Sequence, residues 1–221
     1  MKLDLTKLPV FLVSPGAGKY EERVGEVFRR LIKSGFHTIT FVRSIPDPNP
    51  TDSLTKTVIQ ILEAQAGHGV PFLIFEDDVQ FERLPSELDI PEDTDLLYLG
   101  VSKWVYPHSY ETLGEGFHIC ENRQGHTEEV SDKLVRLKGT TSTHGILYLG
   151  EAFKADAVEK LKERLPHHTP HDLIFATLHD KYNAYGLKDP LVYQDAALGG
   201  QELETRLRWT SGAYRNGYGE F

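Results

Sequence analysis

The chain is poor in the features that mark several specialised protein classes. A single cysteine, Cys120, among 221 residues excludes an internal disulfide framework. No apolar run is long enough to span a bilayer and Met1 to Thr6 does not read as a secretory leader, so the expected location is cytoplasmic, or the host cytoplasm if the source is viral. No linker divides the sequence, whose length suits one domain with a full core. Basic residues are outnumbered, 24 Lys and Arg against 33 Asp and Glu, giving a formal net charge of −9. Non-specific grip on a polyanion draws on a basic stripe, and this sequence has none. Phosphate-binding glycine motifs fail as well. Gly16-Ala17-Gly18-Lys19 suggests a P-loop, but that motif needs Gly where Val13 stands and Ser or Thr where Tyr20 stands. A spaced-glycine dinucleotide fingerprint finds only Gly16 and Gly18 in place.

What is present centres on Val70 to Phe81, where an apolar run stops at Glu76-Asp77-Asp78 and then resumes. Read as a buried strand, Phe72 to Phe75 carries three carboxylates to its carboxyl end, where open α/β sheets bind ligands. Adjacent carboxylates repel one another unless a cation or a set of donors neutralises them. Hard oxygen ligands suit Mg²⁺ or Mn²⁺, which keep waters and share coordination with substrate phosphates. Between Glu76 and Asp95 nine acids stand against Arg83 alone, so most of the net charge is local.

The order of elements around this stretch predicts a sheet covered by helices. Val10 to Val13 reads as a first strand, and Ser14 to Lys19 as a loop into a helix with Val24, Val27, Phe28, Leu31 and Ile32 on one face. Gly35 ends that helix and Phe36 to Val42 forms a second strand. A helix over Asp52 to Ala66, with Leu54, Val58, Ile61, Leu62 and Gln65 on one face, leads through Gly67-His68-Gly69 to the central strand. Short connections of this kind are the signature of parallel β-α-β units. Beyond the acids, Pro85 to Asp95 is a surface loop or short helix, and Asp95 to Gly100 another strand. Leu134 to Lys138 and Ile146 to Leu149 are strands, Glu151 to Arg164 is a helix with Phe153, Ala157, Val158 and Leu161 inward, and Leu191 to Asp195 is a late strand.

The acidic stretch resembles the metal-binding carboxylate motif of GT-A glycosyltransferases, more narrowly the Glu-Asp-Asp motif of glycosyltransferase family 25, the lipopolysaccharide and collagen sugar transferases. The similarity covers about Val10 to Gln194, mostly in patterning, and departs at Pro15-Gly16-Ala17-Gly18, where family members carry a charged, Asn-led segment. It implies an α/β fold of GT-A type, a single domain over residues 1–205 with a mixed central sheet; the tail over 206–221, aromatic and basic between glycines, could by its own composition act as a lid. It also implies transfer of a sugar from a nucleotide-diphosphate-sugar donor, UDP-sugar by preference, to an acceptor hydroxyl, with inversion.

Site expectations follow from the same comparison. Glu76 and Asp78 are candidate metal ligands, with His144 from the hydroxyl-rich run Thr140 to Gly145 as a further metal or acceptor contact. Two residues apart on extended chain, Glu76 and Asp78 share a side, while Asp77 points away toward the donor. Ser14 and Arg23 are the other candidate donor contacts, Arg23 standing about where the family places an arginine. Thr169-Pro170-His171-Asp172 opens a helix, Thr169 reading as the cap and Asp172 as an acid in the first turn. Asp172 is either a helix-start residue or, by the resemblance, the base that takes the acceptor proton. His167, His168 and His171 lack a metal spacing across Pro170.

Two aromatic stretches offer stacking or simple packing: Trp104, Tyr106, Tyr110, Phe117 and His118, and the tail with Arg206, Arg208, Trp209, Tyr214 and Arg215. A glycan is the favoured acceptor. A viral-type transferase acting on hydroxymethylated DNA bases is one alternative. A nucleotidyltransferase and a non-catalytic nucleotide-binding homologue are the others.

Overall fold

A computed structural model describes residues 1–82, 87–101, 113 and 125–198. The aromatics Trp104, Tyr106, Tyr110 and Phe117, with His118, and the tail from Arg206 lie outside these residues. The chain forms the expected α/β architecture with a mixed central sheet. Its strands are β1 (Lys2–Asp4), β2 (Val10–Ser14), β3 (Ile39–Arg43), β4 (Phe72–Glu76), β5 (Val79–Phe81), β6 (Glu87–Asp89), β7 (Leu96–Tyr98), β8 (His126–Glu129), β9 (Leu134–Lys138), β10 (Gly145–Tyr148), β11 (Ala184–Leu187) and β12 (Val192–Gln194). Its helices are α1 (Tyr20–Lys33), α2 (Pro50–Gln65), α3 (Glu151–Arg164) and α4 (His171–Leu178).

Among the described residues, eight strands make the main sheet in the order β3-β2-β4-β10-β7-β11-β9-β8. The pairs β2 with β3, β2 with β4 and β11 with β7 are parallel. Strand β10 runs antiparallel to both its neighbours, β4 and β7, with Gly145 opposite Phe75. Its approach segment therefore meets the end of β4, where Glu76 N–H donates to the His144 carbonyl at 3.1 Å. Two small ribbons flank the sheet, β1 with β6 and β5 with β12.

Every residue of β4 before Glu76 is buried, as its unbroken apolar run requires of a strand covered on both faces. Alternation then divides the core in two. Phe72 and Ile74 pack with Val58, Ile61 and Leu62 of α2, Phe153, Ala157 and Leu161 of α3, and Ile174 and Leu178 of α4. Leu73 and Phe75 pack with Leu12, Phe36 and, from α1, Val27 and Leu31. On the first side Phe72 stacks on Tyr148 at 5.2 Å, and Tyr148 meets the edge of Phe175 at 6.1 Å.

Three local expectations are corrected. The inward stripe of α1 is narrower than its periodicity suggests, because Phe28 and Ile32 are 36% and 50% exposed while Val27 and Leu31 are buried. Pro85 to Asp95 contains a strand rather than only loop or helix, since Glu87–Asp89 pairs with Lys2–Asp4. Helix α4 begins at His171 with Pro170 at the N-cap position, where no side chain caps it, and the buried Thr169 hydroxyl is unpartnered. Strands β1, β8 and β11 are unmarked in sequence because three or four residues are too few to establish a period. No helix among the described residues is long and apolar enough to cross a membrane.

Close crossings need glycine. A Cβ at Gly100 would fall on the Val192 carbonyl oxygen and 2.8 Å from His144 Nε2, and one at Gly145 would stand 2.8 Å from Val192 Cγ2. These two absences of a side chain let the segment leading into β12 cross the end of the sheet. Gly100→Ala should therefore destabilise the fold by about 1 to 3 kcal/mol, the usual cost of overpacking, because the blocking atom is backbone. Urea denaturation of the variant checks this, and unchanged stability would show that the crossing is looser than the contact implies.

Candidate active site at the carboxyl end of the central strand

Strand β4 ends on Glu76, and the chain turns through Asp77 and Asp78 before returning as β5. The turn sends the three acids to different partners. Glu76 Oε1 accepts from Thr143 Oγ1 at 2.9 Å. Asp77 leans the other way, where Ser14 Oγ donates to its Oδ2 and Arg23 Nη1 lies 3.5 Å from its Oδ1. Asp78 Oδ2 accepts from Gln194 Nε2 at 3.3 Å, and its carbonyl accepts from Asp195 N–H at 2.7 Å. Asp78 Oδ1 is buried without a hydrogen-bond partner.

The three expected donor-side residues, Ser14, Arg23 and Asp77, thus meet in one group. Ser14 closes β2 and is buried, its Oγ also accepting from Gly16 N–H at 3.1 Å. Gly16 and Gly18 both have φ near +59°, which turns the chain from β2 into α1. Arg23 lies in the early part of α1 with its guanidinium 5.0 Å from the Tyr20 ring centroid.

Burial and mutual repulsion raise the carboxylate pKa values. Glu76 is pushed up to about 8, first by desolvation and next by the charge of Asp78, against the Thr143 hydrogen bond. Asp78 is pushed up to about 6 by desolvation and then by Asp77, with Arg23 and Gln194 opposing. Asp77 is raised by desolvation, which outweighs its bonds to Ser14 and Arg23.

On the side of Glu76 a cavity of about 210 Å³ opens, bounded by Thr141, Ser142 and Thr143, by Thr51 and Leu54 of α2, by Pro170, His171 and Asp172, and by Gln194. Asp172 occupies the second position of α4, its Oδ1 accepting the Leu173 N–H at 2.7 Å. Its charge also contributes to raising Glu76 across the cavity. His171 is buried edge-on to Phe175, and burial pushes its pKa down to about 4, so it is neutral near pH 7.

His144 lies elsewhere. Its ring is buried against Gly100 and does not line the cavity, and burial pushes its pKa down to about 4, opposed by the Val192 carbonyl. Its main-chain carbonyl is what reaches Glu76. Among the described residues no three His, Cys, Asp or Glu side chains converge as a ready-made metal cage. The donor set fits a divalent cation of the open kind, held by one or two carboxylates with phosphates and waters completing it: Glu76 and Asp78 are oxygen donors, the charge of Asp78 raises Glu76, and one Asp78 oxygen is unpartnered.

Two supporting residues carry no mark in the sequence. Gln194 reaches Asp78 only because β12 pairs with β5. Arg30 of α1 donates to the Val79 carbonyl at 3.0 Å and pairs with Asp195 at 2.9 Å, holding both strands of that ribbon. On sequence it reads as one charge among many on a solvated helix face.

The raised Glu76 pKa makes a signed prediction. A carboxyl group that binds its proton more tightly when folded destabilises the fold as pH rises from its unfolded value, near 4.5, to its folded value, near 8. Glu76→Gln keeps an acceptor for Thr143 and cannot ionise. In EDTA the variant should be more stable than the parent at pH 8 by on the order of a few kcal/mol, with the difference closing toward pH 4.5. Thermal melts across that range check it, and a parent at least as stable at pH 8 would contradict the repulsion.

No protein-family model matches the chain, and no curated protein matches it. Several solved structures are similar to it at low identity. A CTP:phosphocholine cytidylyltransferase from Streptococcus pneumoniae shares 8% identity over 87% of this chain and 96% of its own, with a TM-score of 0.41. A nucleoside-diphosphate-sugar pyrophosphorylase from Vibrio cholerae RC9 shares 9% over 82% and 73%, with a TM-score of 0.43. Mouse xyloside xylosyltransferase 1 in its apo form shares 9% over 79% and 82%, with a TM-score of 0.40.

Proposed function

We propose that the chain is a metal-dependent glycosyltransferase of GT-A type, moving a sugar from a nucleotide-diphosphate-sugar, UDP-sugar by preference, to an acceptor hydroxyl, with a glycan as the favoured acceptor. The observation that carries this reading is the division of one acidic turn between two sides. Asp77 joins Ser14 and Arg23 on one, and Glu76 faces Asp172 across a cavity on the other.

In this reading the donor lies on the side of Ser14, Arg23 and Asp77, whose carboxylate suits ribose hydroxyls and whose guanidinium suits phosphate. Glu76 and Asp78 would hold Mn²⁺ or Mg²⁺, which would supply positive charge to offset what grows on the departing diphosphate. Gln194 orients Asp78, and Thr143 orients Glu76. His144 acts through its carbonyl, which holds the end of β4. The acceptor hydroxyl enters the cavity, its oxygen bonds to the anomeric carbon as the bond to diphosphate breaks, and Asp172 receives its proton. Direct displacement inverts the anomeric centre. Thr141 and Ser142, with neutral His171, offer hydrogen bonds to the acceptor's other hydroxyls.

Titration calorimetry of UDP with and without Mn²⁺ tests the donor side: binding should need the metal and be lost in Asp78→Asn. Assay of a panel of nucleotide sugars should release nucleoside diphosphate, and Asp172→Asn should lower that rate by roughly 10²- to 10⁴-fold, the usual contribution of a positioned base, with metal-dependent UDP binding retained. A purely structural Asp172 would tolerate Asn near a helix start with little loss. Undiminished UDP binding by Asp78→Asn, or pyrophosphate as the product, would overturn the proposal.

A further inference from the structure

We infer that strand β3 and the flank of α1 beside it form the interface of a homodimer, in which the β3 edges of two copies of this chain pair antiparallel about a two-fold axis at Phe41. Strand β3 ends the main sheet, with β2 its one neighbour among the described residues. Val10 N–H donates to the Thr38 carbonyl and Ser44 N–H to the Ser14 carbonyl, both at 2.8 Å. Successive residues of a strand direct their main-chain groups to opposite sides, so Ile39, Phe41 and Arg43 turn N–H and C=O away from β2. The two ends of the sheet differ in how they treat an added strand. At the far end β8 carries Glu128 and Glu129, both exposed, charges of the kind that discourage further pairing. Strand β3 reads Ile-Thr-Phe-Val-Arg, with its one charge at the last position.

Helix α1 adds apolar surface beside this edge. Val27 and Leu31 point into the core, and Arg23 and Arg30 reach Asp77, the Val79 carbonyl and Asp195 on the flank toward β4 and β5. Four residues apart in turn, Val24, Phe28 and Ile32 run along the opposite flank, and β3 is the strand on that side of β2. Six large apolar side chains are exposed among the described residues, and three of them lie here: Phe28, Ile32 and Phe41, the last 39% exposed with the tip of its ring against Gly16. The exposed apolar surface is thus concentrated where main-chain groups are also open.

Register and charge select a second copy as the occupant. An axis at Phe41 sets Phe41 opposite Phe41 and Ile39 opposite Arg43 of the other copy, so every outward N–H and C=O of the strand faces a partner group. The same axis makes the two α1 helices antiparallel. Each helix is acidic at its start, Glu21 and Glu22, and basic toward its end, Arg29 and Lys33. Antiparallel helices set the acidic turn of one toward the basic end of the other, while Val24, Phe28 and Ile32 meet between them. A contact of this symmetry closes on itself and leaves neither β3 edge open to a further strand.

Two measurements on the full chain test the dimer, and neither depends on sugar transfer. Sedimentation equilibrium should show a dimer, and Ile32→Lys, a change at a half-exposed position, should weaken association at least tenfold with far-ultraviolet circular dichroism unchanged. The second measurement reads the register. In a Cys120→Ser background, Phe41→Cys should form a covalent dimer under mild oxidation, because opposed residues of a hydrogen-bonded pair lie about 5.5 Å apart at Cα, within disulfide reach. Val130→Cys, exposed on another surface, should not. A monomeric parent at high micromolar concentration, a folded Ile32→Lys variant that dimerises as the parent does, or crosslinking at position 130 equal to that at position 41 would each overturn the interface. If Ile32→Lys does not fold, the crosslinking comparison decides: selective crosslinking at position 41 supports the interface and its absence overturns it.

Discussion

The structure turns on the cost of holding Glu76 and Asp78 together at the end of a buried strand. Each is desolvated, and the charge of Asp78 raises Glu76 while that of Asp77 raises Asp78. A fold can keep such a pair only if the surrounding chain fixes the acids from several directions, since neither would stay in place for its own stability. The fixing groups come from far apart in sequence. Thr143 holds Glu76, Gln194 holds Asp78, and Ser14 with Arg23 hold the intervening Asp77.

The longest of these reaches, from Asp78 to Gln194, accounts for features of the fold that otherwise look incidental. For Gln194 to arrive, the segment from Leu191 must cross the ends of β7 and β10, and glycine stands there both times, Gly100 just beyond β7 and Gly145 at the start of β10. Leu191 and Val192 N–H groups both donate to the Leu99 carbonyl, which registers the crossing against β7. Arg30 then spans from α1 to the Val79 carbonyl and the Asp195 carboxylate, so the ribbon of β5 and β12 is clasped to the helix that also carries Arg23. Asp195, an acid at a strand end by sequence, is engaged by Arg30 and does not line the cavity.

How far the site is legible in the sequence depends on the range of each interaction. Phe72 to Glu76 is readable because an uninterrupted apolar run that stops at acids fits a buried strand opening on a ligand site and little else, and the helices covering it show periodicity over four turns. The grouping of Ser14, Arg23 and Asp77 follows from α1 succeeding β2 directly and from β2 pairing in parallel with β4, as the β-α-β order predicts. Gln194 is 116 residues from Asp78, and no local pattern encodes that contact. Arg30 is hidden for a different reason: its partners are a backbone carbonyl and a distant acid, neither of which leaves a periodic trace in the sequence of α1. Thr169 misleads because its residue type suits a cap, whereas the preceding left-handed His168 and the following Pro170 set the chain so that its hydroxyl finds no partner.

The alternation of side chains along extended backbone makes a three-residue acidic turn economical in the proposed reaction. Asp77 beside Arg23 and Glu76 at the cavity wall let a single turn face both proposed substrates, while Asp78, held by Gln194, does not line the cavity. A strand continuing straight would keep strict alternation and carry Asp78 past the sheet edge. Because the chain instead folds back into β5, Asp78 remains close enough to Glu76 for their charges to interact while its carbonyl binds Asp195 N–H. In the proposed reaction the donor and acceptor sides are therefore not separate sites that happen to adjoin. They are the two faces of one turn, and any displacement of β12 that moved Gln194 would alter the Asp78 carboxylate and, through its charge, Glu76 at the cavity wall as well.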